Sequence, residues 1–187
     1  MSNSTRDQFN DLLRSEGLNA GIIPVSNIPN EESRLNEVNR LWILNRDLDQ
    51  EAQYNALTQL AAIITKSQIG LINILGSNIQ QCKTNFGFNV LESTLTEEMP
   101  REISICQYSL ASPQEPLIIN DLFLDERTKH FKKLEAYENL RFYAGSPLIS
   151  SRGFSIGTLC VIDDKPKNIE HDQIEGLRLL ADQVVNM

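Results

Sequence analysis

Two histidines and three cysteines are all that 187 residues offer of the side chains that most often bind metals or form disulfides. His130 and His171 stand far apart, and no Cys-x-x-Cys accompanies them, so no zinc-site spacing is present. Cys82, Cys106 and Cys160 are odd in number and widely spaced, which excludes a disulfide framework. Each lies among apolar residues, in "IQQCK", "ISICQY" and "GTLCVID", and reads as a reduced, buried thiol of a cytosolic protein. Positive charge is also scarce: 17 Lys and Arg face 25 Asp and Glu, for a net charge of −8 and a pI near 4.8. That excludes broad binding to nucleic acid or anionic membranes, which takes concentrated Lys and Arg. No apolar run nears the roughly 20 residues of a membrane span. "MSNSTRDQFN" has neither the basic nor the apolar part of a signal peptide. A cytoplasmic domain without membrane contact is expected. No G-x-x-x-x-G-K-[ST] phosphate loop occurs.

What remains is ordinary for a globular chain, with 41% apolar and 22% charged residues. The length suits one domain with terminal extensions. The one basic run, "RTKHFKK" from Arg127 to Lys133, reads as a solvated helix face or loop, with a small anion site as the alternative.

Residues 5–16 form a short amphipathic pattern, and Pro24 and Pro29 then mark an extended linker. Helical periodicity resumes at Asn30 with Leu35, Val38, Leu41, Trp42 and Leu44. A second helical segment covers 49–66, with Tyr54, Leu57, Leu60, Ala61 and Ile64 on one face. The period then falls to two, predicting a β-hairpin of residues 68–75 and 78–86. "GFNVLESTLTEEMP" reads as an irregular crossing, "REISICQYSLAS" as a helix ending before Pro113, and "PLIIN" as a short strand. "DLFLDERTKHFKKLEAYEN" suggests loop and helical turns. "LRFYAGSPLIS" and "FSIGTLCVID" are two strands joined by "SRG", and a helix closes the chain. Without βαβ alternation, the order predicts an α+β fold built on an antiparallel sheet.

"GFSIG", residues 153–157, spells the G-x-S-x-G of a nucleophilic serine. Such a serine sits on a sharp turn between a strand and a helix. Here strand pattern lies on both sides and no helix follows until roughly Asn168. His171, with Asp163 and Asp164 before it, is too close in sequence to complete a triad. Ser155 is therefore expected to be a strand residue, with the glycines serving a turn and close packing.

Taken in order, "RLNEVNRLWILNRDLDQEAQYNALTQLAA", "GLINIL…IQQCKTNFG", "REISICQYSL", "PLIINDLFLDER", "LRFYAGSPLISSRGFSIGTLCVIDDKP" and "DQIEGLRLLADQV" resemble a bacterial GAF domain over about residues 31–187, with 1–30 as an N-terminal extension and linker. The resemblance implies a GAF/PAS-like central antiparallel sheet of five or six strands. The N- and C-terminal helices would pack on one face, often at a dimer interface, and a roofed pocket would occupy the other. It also implies a non-catalytic regulatory module. Such modules bind cyclic nucleotides, tetrapyrroles or other small molecules, or only dimerise, upstream of an output domain such as a kinase or cyclase. No Cys-His dipeptide marks a covalent bilin, and the N-K-F-D-E signature of cyclic-nucleotide members is absent, so no cofactor is named. One GAF-like branch is enzymatic, the free methionine-(R)-sulfoxide reductases. Cys106 falls roughly where one of their cysteines does, but residues 129–142, where that branch keeps its active thiol, hold none.

Chain position then nominates Ser104, Cys106 and Tyr108 on the roof helix, Asn120, Asp121, Asp125 and Arg127 in the loop after "PLII", and Arg141 and Tyr143 at the start of the next strand. Arginine pairs carboxylates or phosphates, and tyrosine stacks and hydrogen-bonds. The alternative is structural: Asp121 and Asp125 cap turns, and Arg141 ties the loop to the sheet. Cys106 has two readings as well, a thiol activated at a helix start or an inert buried one. Ile174, Leu177, Ala181 and Val184 of the last helix form either a short coiled-coil seam for a homodimer or the face that packs on the sheet. That helix closes the sequence with no output module after it, as expected of an excised sensor segment or a stand-alone regulator.

Overall fold

A computed structural model describes residues 28–41, 52–87, 98–133 and 137–187. The 5–16 pattern, Trp42 and Leu44 lie outside the described residues. Two helices come first, α1 (Glu31–Arg40) and α2 (Ala52–Thr65). Strands β1 (Ile69–Leu75), β2 (Ile79–Phe86), β3 (Glu98–Pro100), β4 (Leu117–Ile119), β5 (Phe142–Ile149) and β6 (Ser155–Asp163) follow, and helix α3 (His171–Asn186) closes the chain. The six strands form one antiparallel sheet in the order β3-β2-β1-β6-β5-β4.

The two central strands, β1 and β6, are buried along their whole length. Alternation divides their side chains between two cores. Ile72, Ile74, Leu159 and Val161 meet Val38, Tyr54, Leu57 and Ala61 of the first two helices and Leu177, Ala181 and Val184 of α3. Ile69, Leu71, Leu75, Cys160 and Ile162 face the opposite layer, built from Ile103, Ile105, Leu110, Phe131 and Tyr137. Leu177, Ala181 and Val184 of the α3 stripe are thus occupied by the sheet, the second of its two readings, while Ile174 is only partly covered. Leu60 and Ile64 of the α2 stripe are instead 43% and 36% exposed.

Helix α1 departs most from its apolar pattern. Its buried face is Arg34, Glu37 and Val38, while Leu35 is only partly covered. The Arg34 guanidinium donates to Leu75 O (2.7 Å), Ser155 O (3.3 Å) and Gly76 O (3.4 Å), and holds Glu31 at 2.5 and 3.0 Å. Arg101 shares Glu31 at 2.5 Å. Glu37 lies between Arg40 (2.8 Å) and Arg152 (3.6 Å), at the β5–β6 turn. The helix therefore docks by capping strand-end carbonyls as much as by apolar area.

Two sequence expectations need correction. The helix predicted for "REISICQYSLAS" is instead two 3-10 turns, Arg101–Ile103 and Ile105–Leu110, broken at Ser104. Ile103, Ser104, Ile105 and Cys106 are all buried in succession, which no single helical face can satisfy. Ser104 takes extended backbone angles, and its hydroxyl accepts the Cys106 N–H, a local bond that competes with helix. The "irregular crossing" ends in a strand, β3, paired Ile79↔Pro100, Gln80↔Met99 and Gln81↔Glu98. Proline is tolerated there because β3 is an edge.

In "GFSIG", Gly153 turns the chain at φ +83° and Ser155 begins β6, with no helix before His171. The Ser155 hydroxyl is buried without a hydrogen-bond partner, so the motif has no elbow and no base beside it.

Candidate functional site

On the roof side of the sheet, four elements bring polar and sulfur groups to one point. Asn73 of β1 stands opposite Thr158 of β6, and Cys160 stands opposite Gly145 of β5. The Asn73 amide donates to Cys106 Sγ at 3.5 Å and Cys160 Sγ at 3.4 Å. Tyr143 donates its hydroxyl to Cys106 Sγ at 3.3 Å. Its ring lies along β5 only because residue 145 is glycine: a Cβ there would fall 2.3 Å from the Tyr143 hydroxyl. The Cys106 and Cys160 sulfurs thus share one amide donor, and the hydroxyl of Thr158, two residues before Cys160 on β6, is buried without a hydrogen-bond partner.

The roof above them is tied down. Ser104 hydrogen-bonds Gln80 of β2 and receives the Cys106 N–H at 3.0 Å. Tyr137 donates to Ile103 O at 2.7 Å. Between roof and sheet lies a cavity of about 20 Å³, lined in part by Asn73, Gln80, Cys82, Ser104, Cys106 and Tyr143. That is room for a molecule of water size. Asn73 Oδ1, buried at its edge, has no partner. All three cysteines are thiols and belong to this layer, Cys106 and Cys160 fully buried and Cys82 partly.

Burial pushes the Cys106 thiol up, but the polar groups around its sulfur, the Tyr143 hydroxyl among them, outweigh it and hold the group below the ordinary thiol range. Cys160 goes the other way, raised by the neighbouring Cys106 and by burial. Burial also raises Tyr143.

The structure brings Ser104, Cys106 and Tyr143 together here. It does not bring Asn120, Asp121, Asp125, Arg127 or Arg141 to the cavity. Asp121 accepts from Phe123 N at 3.0 Å and pairs with Arg141 at 2.6 Å, and Asp125 does the same with Arg127, at 2.9 Å to its N–H and 2.6 Å to its guanidinium. Both arginines hold their carboxyl partners below the usual carboxylate range. Asn120 donates to Asn168 at 3.0 Å on the surface, and Tyr108 donates to Arg127 O at 2.9 Å, fastening roof to loop. Within the basic run, Arg127 and Lys129 are each paired with an acid of the same loop, and Phe131 is core. Asn73, Gln80, Thr158 and Cys160 also stand at this point, outside the residues that chain position picks out. The available signal was Asn73, the one polar side chain in "GLINIL". Among the described residues no group of three or more His, Cys, Asp or Glu could hold a metal ion, and no helix is long and apolar enough to cross a membrane.

The model of the GAF domain family matches residues 49–186. The chain belongs to that family. A cyclic di-GMP phosphodiesterase of Pseudomonas aeruginosa is 28% identical to this GAF domain over 137 residues, 73% of the chain. The match covers 22% of that enzyme, so the chain spans about a fifth of the curated relative's length. The GAF domain region of a Geobacter sulfurreducens protein shares the fold at a TM-score of 0.59 and 19% identity, over 77% of this chain and 95% of that one. A type II free methionine-R-sulfoxide reductase from Thermoplasma acidophilum does so at 0.59 and 15% identity, over 72% and 89%. The six-stranded sheet between helices and roof is the GAF architecture. Membership carries with it the coarse role of a regulatory or sensory domain.

Proposed function

We propose that this GAF domain, residues 31–187 after an N-terminal extension, is a non-catalytic cytoplasmic sensor. It takes a small polar ligand between roof and sheet and passes the change through the sheet to its helices and on to an output module. The observation that carries this reading is the cavity edged by Asn73 Oδ1, a buried acceptor without a partner. Leaving such an atom unsatisfied costs about 1–3 kcal/mol, which a ligand donor recovers. Ser104, Cys106, Tyr143 and Gln80 supply the remaining contacts. Nucleotides and tetrapyrroles need pockets of several hundred Å³, so they enter this cavity only if the roof lifts off Gln80 and the Tyr137 anchor.

A thermal-shift panel of small amides, amino acids, nucleotides and tetrapyrroles tests this. A true ligand at about 100 times its Kd stabilises by about 2.7 kcal/mol, a rise of several degrees, and Asn73→Leu abolishes that rise. A panel with no shift favours a purely structural module. Turnover of free methionine sulfoxide, lost in Cys106→Ser, replaces the sensor by the reductase reading, which the convergence of the thiols supports.

The homodimer belongs to the same proposal. With the sheet-facing stripes occupied, the apolar surface left on the helices is Leu60, Ile63 and Ile64 of α2 and Leu179 of α3. Light scattering should give twice 21.2 kDa. A monomer mass at high micromolar concentration defeats it.

A further inference from the structure

The ligand reading leaves unexplained why two buried thiols should share one amide donor. Cys106 sits on the roof turn and Cys160 on the central strand, and both sulfurs take the Asn73 amide as a donor, at 3.5 and 3.4 Å. A third sulfur, Cys82, lines the same small cavity. Among structural buried cysteines, inertness comes from apolar surroundings. Cys106 is surrounded by donors instead: Asn73 and Tyr143 both point N–H or O–H at its sulfur. Those donors favour the thiolate, which is the nucleophilic form.

We propose that Cys106 and Cys160 are a peroxide-responsive thiol pair that closes to an intramolecular disulfide, covalently joining the roof to β6. In the first step Cys106 Sγ attacks one oxygen of hydrogen peroxide. The O–O bond breaks, the sulfur becomes a sulfenic acid, and the departing hydroxide takes the thiol proton and leaves as water. In the second step Cys160 Sγ attacks the oxidised sulfur. The S–O bond breaks, the S–S bond forms, and the hydroxyl leaves with the Cys160 proton as a second water. Two electrons pass from the two sulfurs to the peroxide, and no other oxidant is needed. The roles follow from the surroundings. Cys106 takes two donors, Asn73 and Tyr143, that favour its thiolate and is oxidised first, and Cys160, on the same Asn73 amide, is the sulfur placed to resolve it. The cavity of about 20 Å³ admits a peroxide-sized oxidant and excludes bulky ones. A bond length near 2.05 Å requires the two sulfurs to close up, which draws the Ile105–Leu110 turn toward the sheet. The proposal stands apart from the diffusible ligand: a failed ligand panel leaves it intact.

The test uses the intact chain and needs no variant. The folded protein is treated with stoichiometric hydrogen peroxide, its remaining thiols are alkylated under denaturing conditions, and its peptides are mapped by mass spectrometry. The expected result is a fall from three alkylated thiols to one, a Cys106–Cys160 cross-linked peptide lacking two hydrogens, and recovery by dithiothreitol. Cys160→Ser should then stop at a sulfenic acid that dimedone traps on Cys106, while Cys82→Ser still forms the link. Three alkylated thiols after peroxide overturn the proposal. So does a link through Cys82, or oxidation only after unfolding.

Discussion

Replacing Arg34 by alanine lowers the stability of the domain by roughly 3 kcal/mol, the scale of breaking a buried, hydrogen-bonded ion pair. For a chain of this length that is a drop of roughly 6–12 °C in melting temperature. The reason is the number of groups that depend on one guanidinium. Leu75 O and Gly76 O at the end of the β1–β2 hairpin, Ser155 O at the start of β6, and the Glu31 carboxylate all accept from it, and Arg34 is 2% exposed. Water cannot readily replace it. Arg34→Lys should recover only part of the loss, because an ammonium lacks the planar fork that reaches carbonyls and a carboxylate together.

The same clamp has an acid signature. Burial pushes Glu31 up, but its bonds to Arg34 and Arg101 hold it below its ordinary value of 4.5. A depressed carboxyl stabilises the fold fully above its unfolded value and loses that contribution as pH falls through its folded value. The wild type should therefore weaken as pH drops below 4.5, and Arg34→Ala should flatten that decline. Differential scanning calorimetry from neutral pH to about pH 3 reads both. A change of less than about 1 °C in Arg34→Ala at neutral pH rules out the clamp.

The second large effect falls within "GFSIG". Gly157→Ala should cost about 3 kcal/mol, while Ser155→Ala, two residues earlier, stays within about 0.5 kcal/mol of wild type. A Cβ on residue 157 would lie 2.0 Å from Asn73 O and 3.0 Å from Ile74 Cα. Both atoms are backbone of β1, the partner strand at the centre of the sheet, so neither can turn aside. The strands must part, and Asn73 moves with them. Ser155 is different: its hydroxyl is buried and unpartnered, so its removal costs no hydrogen bond. Urea midpoints for the two variants decide the matter. Equal shifts would show that strand approach at Gly157 is not what the motif protects.

The reading of the strands succeeded where residues obeyed a single period. "QIGLINIL", "IQQCKTNF" and "FSIGTLCVID" became β1, β2 and β6 within a residue or two. It failed where a side chain's partner lies far along the chain. Arg34 and Glu37 look like the solvated face of α1, because nothing near them announces the hairpin carbonyls and the Ser150–Arg152 turn they reach. The 3-10 break at Ser104 comes from burial on every side, which helical periodicity does not register. For the candidate cavity, chain position alone points to Ser104, Cys106 and Tyr143 on the roof turn and the strand start. It does not point to the rest. Whether positions 82, 106 and 160 meet is set by antiparallel register and by which way each residue faces, and a one-residue slip in β6 would turn Cys160 to the opposite core.

Strand β6 has one more consequence. Its consecutive residues Leu159, Cys160, Val161 and Ile162 project alternately into the helix layer and the roof layer, and all are buried. Close-packed interiors compress very little. The strand thus behaves as a diaphragm between two packed layers, with a small cavity on its roof side. A displacement at Cys160, from a ligand or a sulfur–sulfur bond, has to reappear against Leu177 and Ala181 of α3, giving the two layers a mechanical path one residue thick.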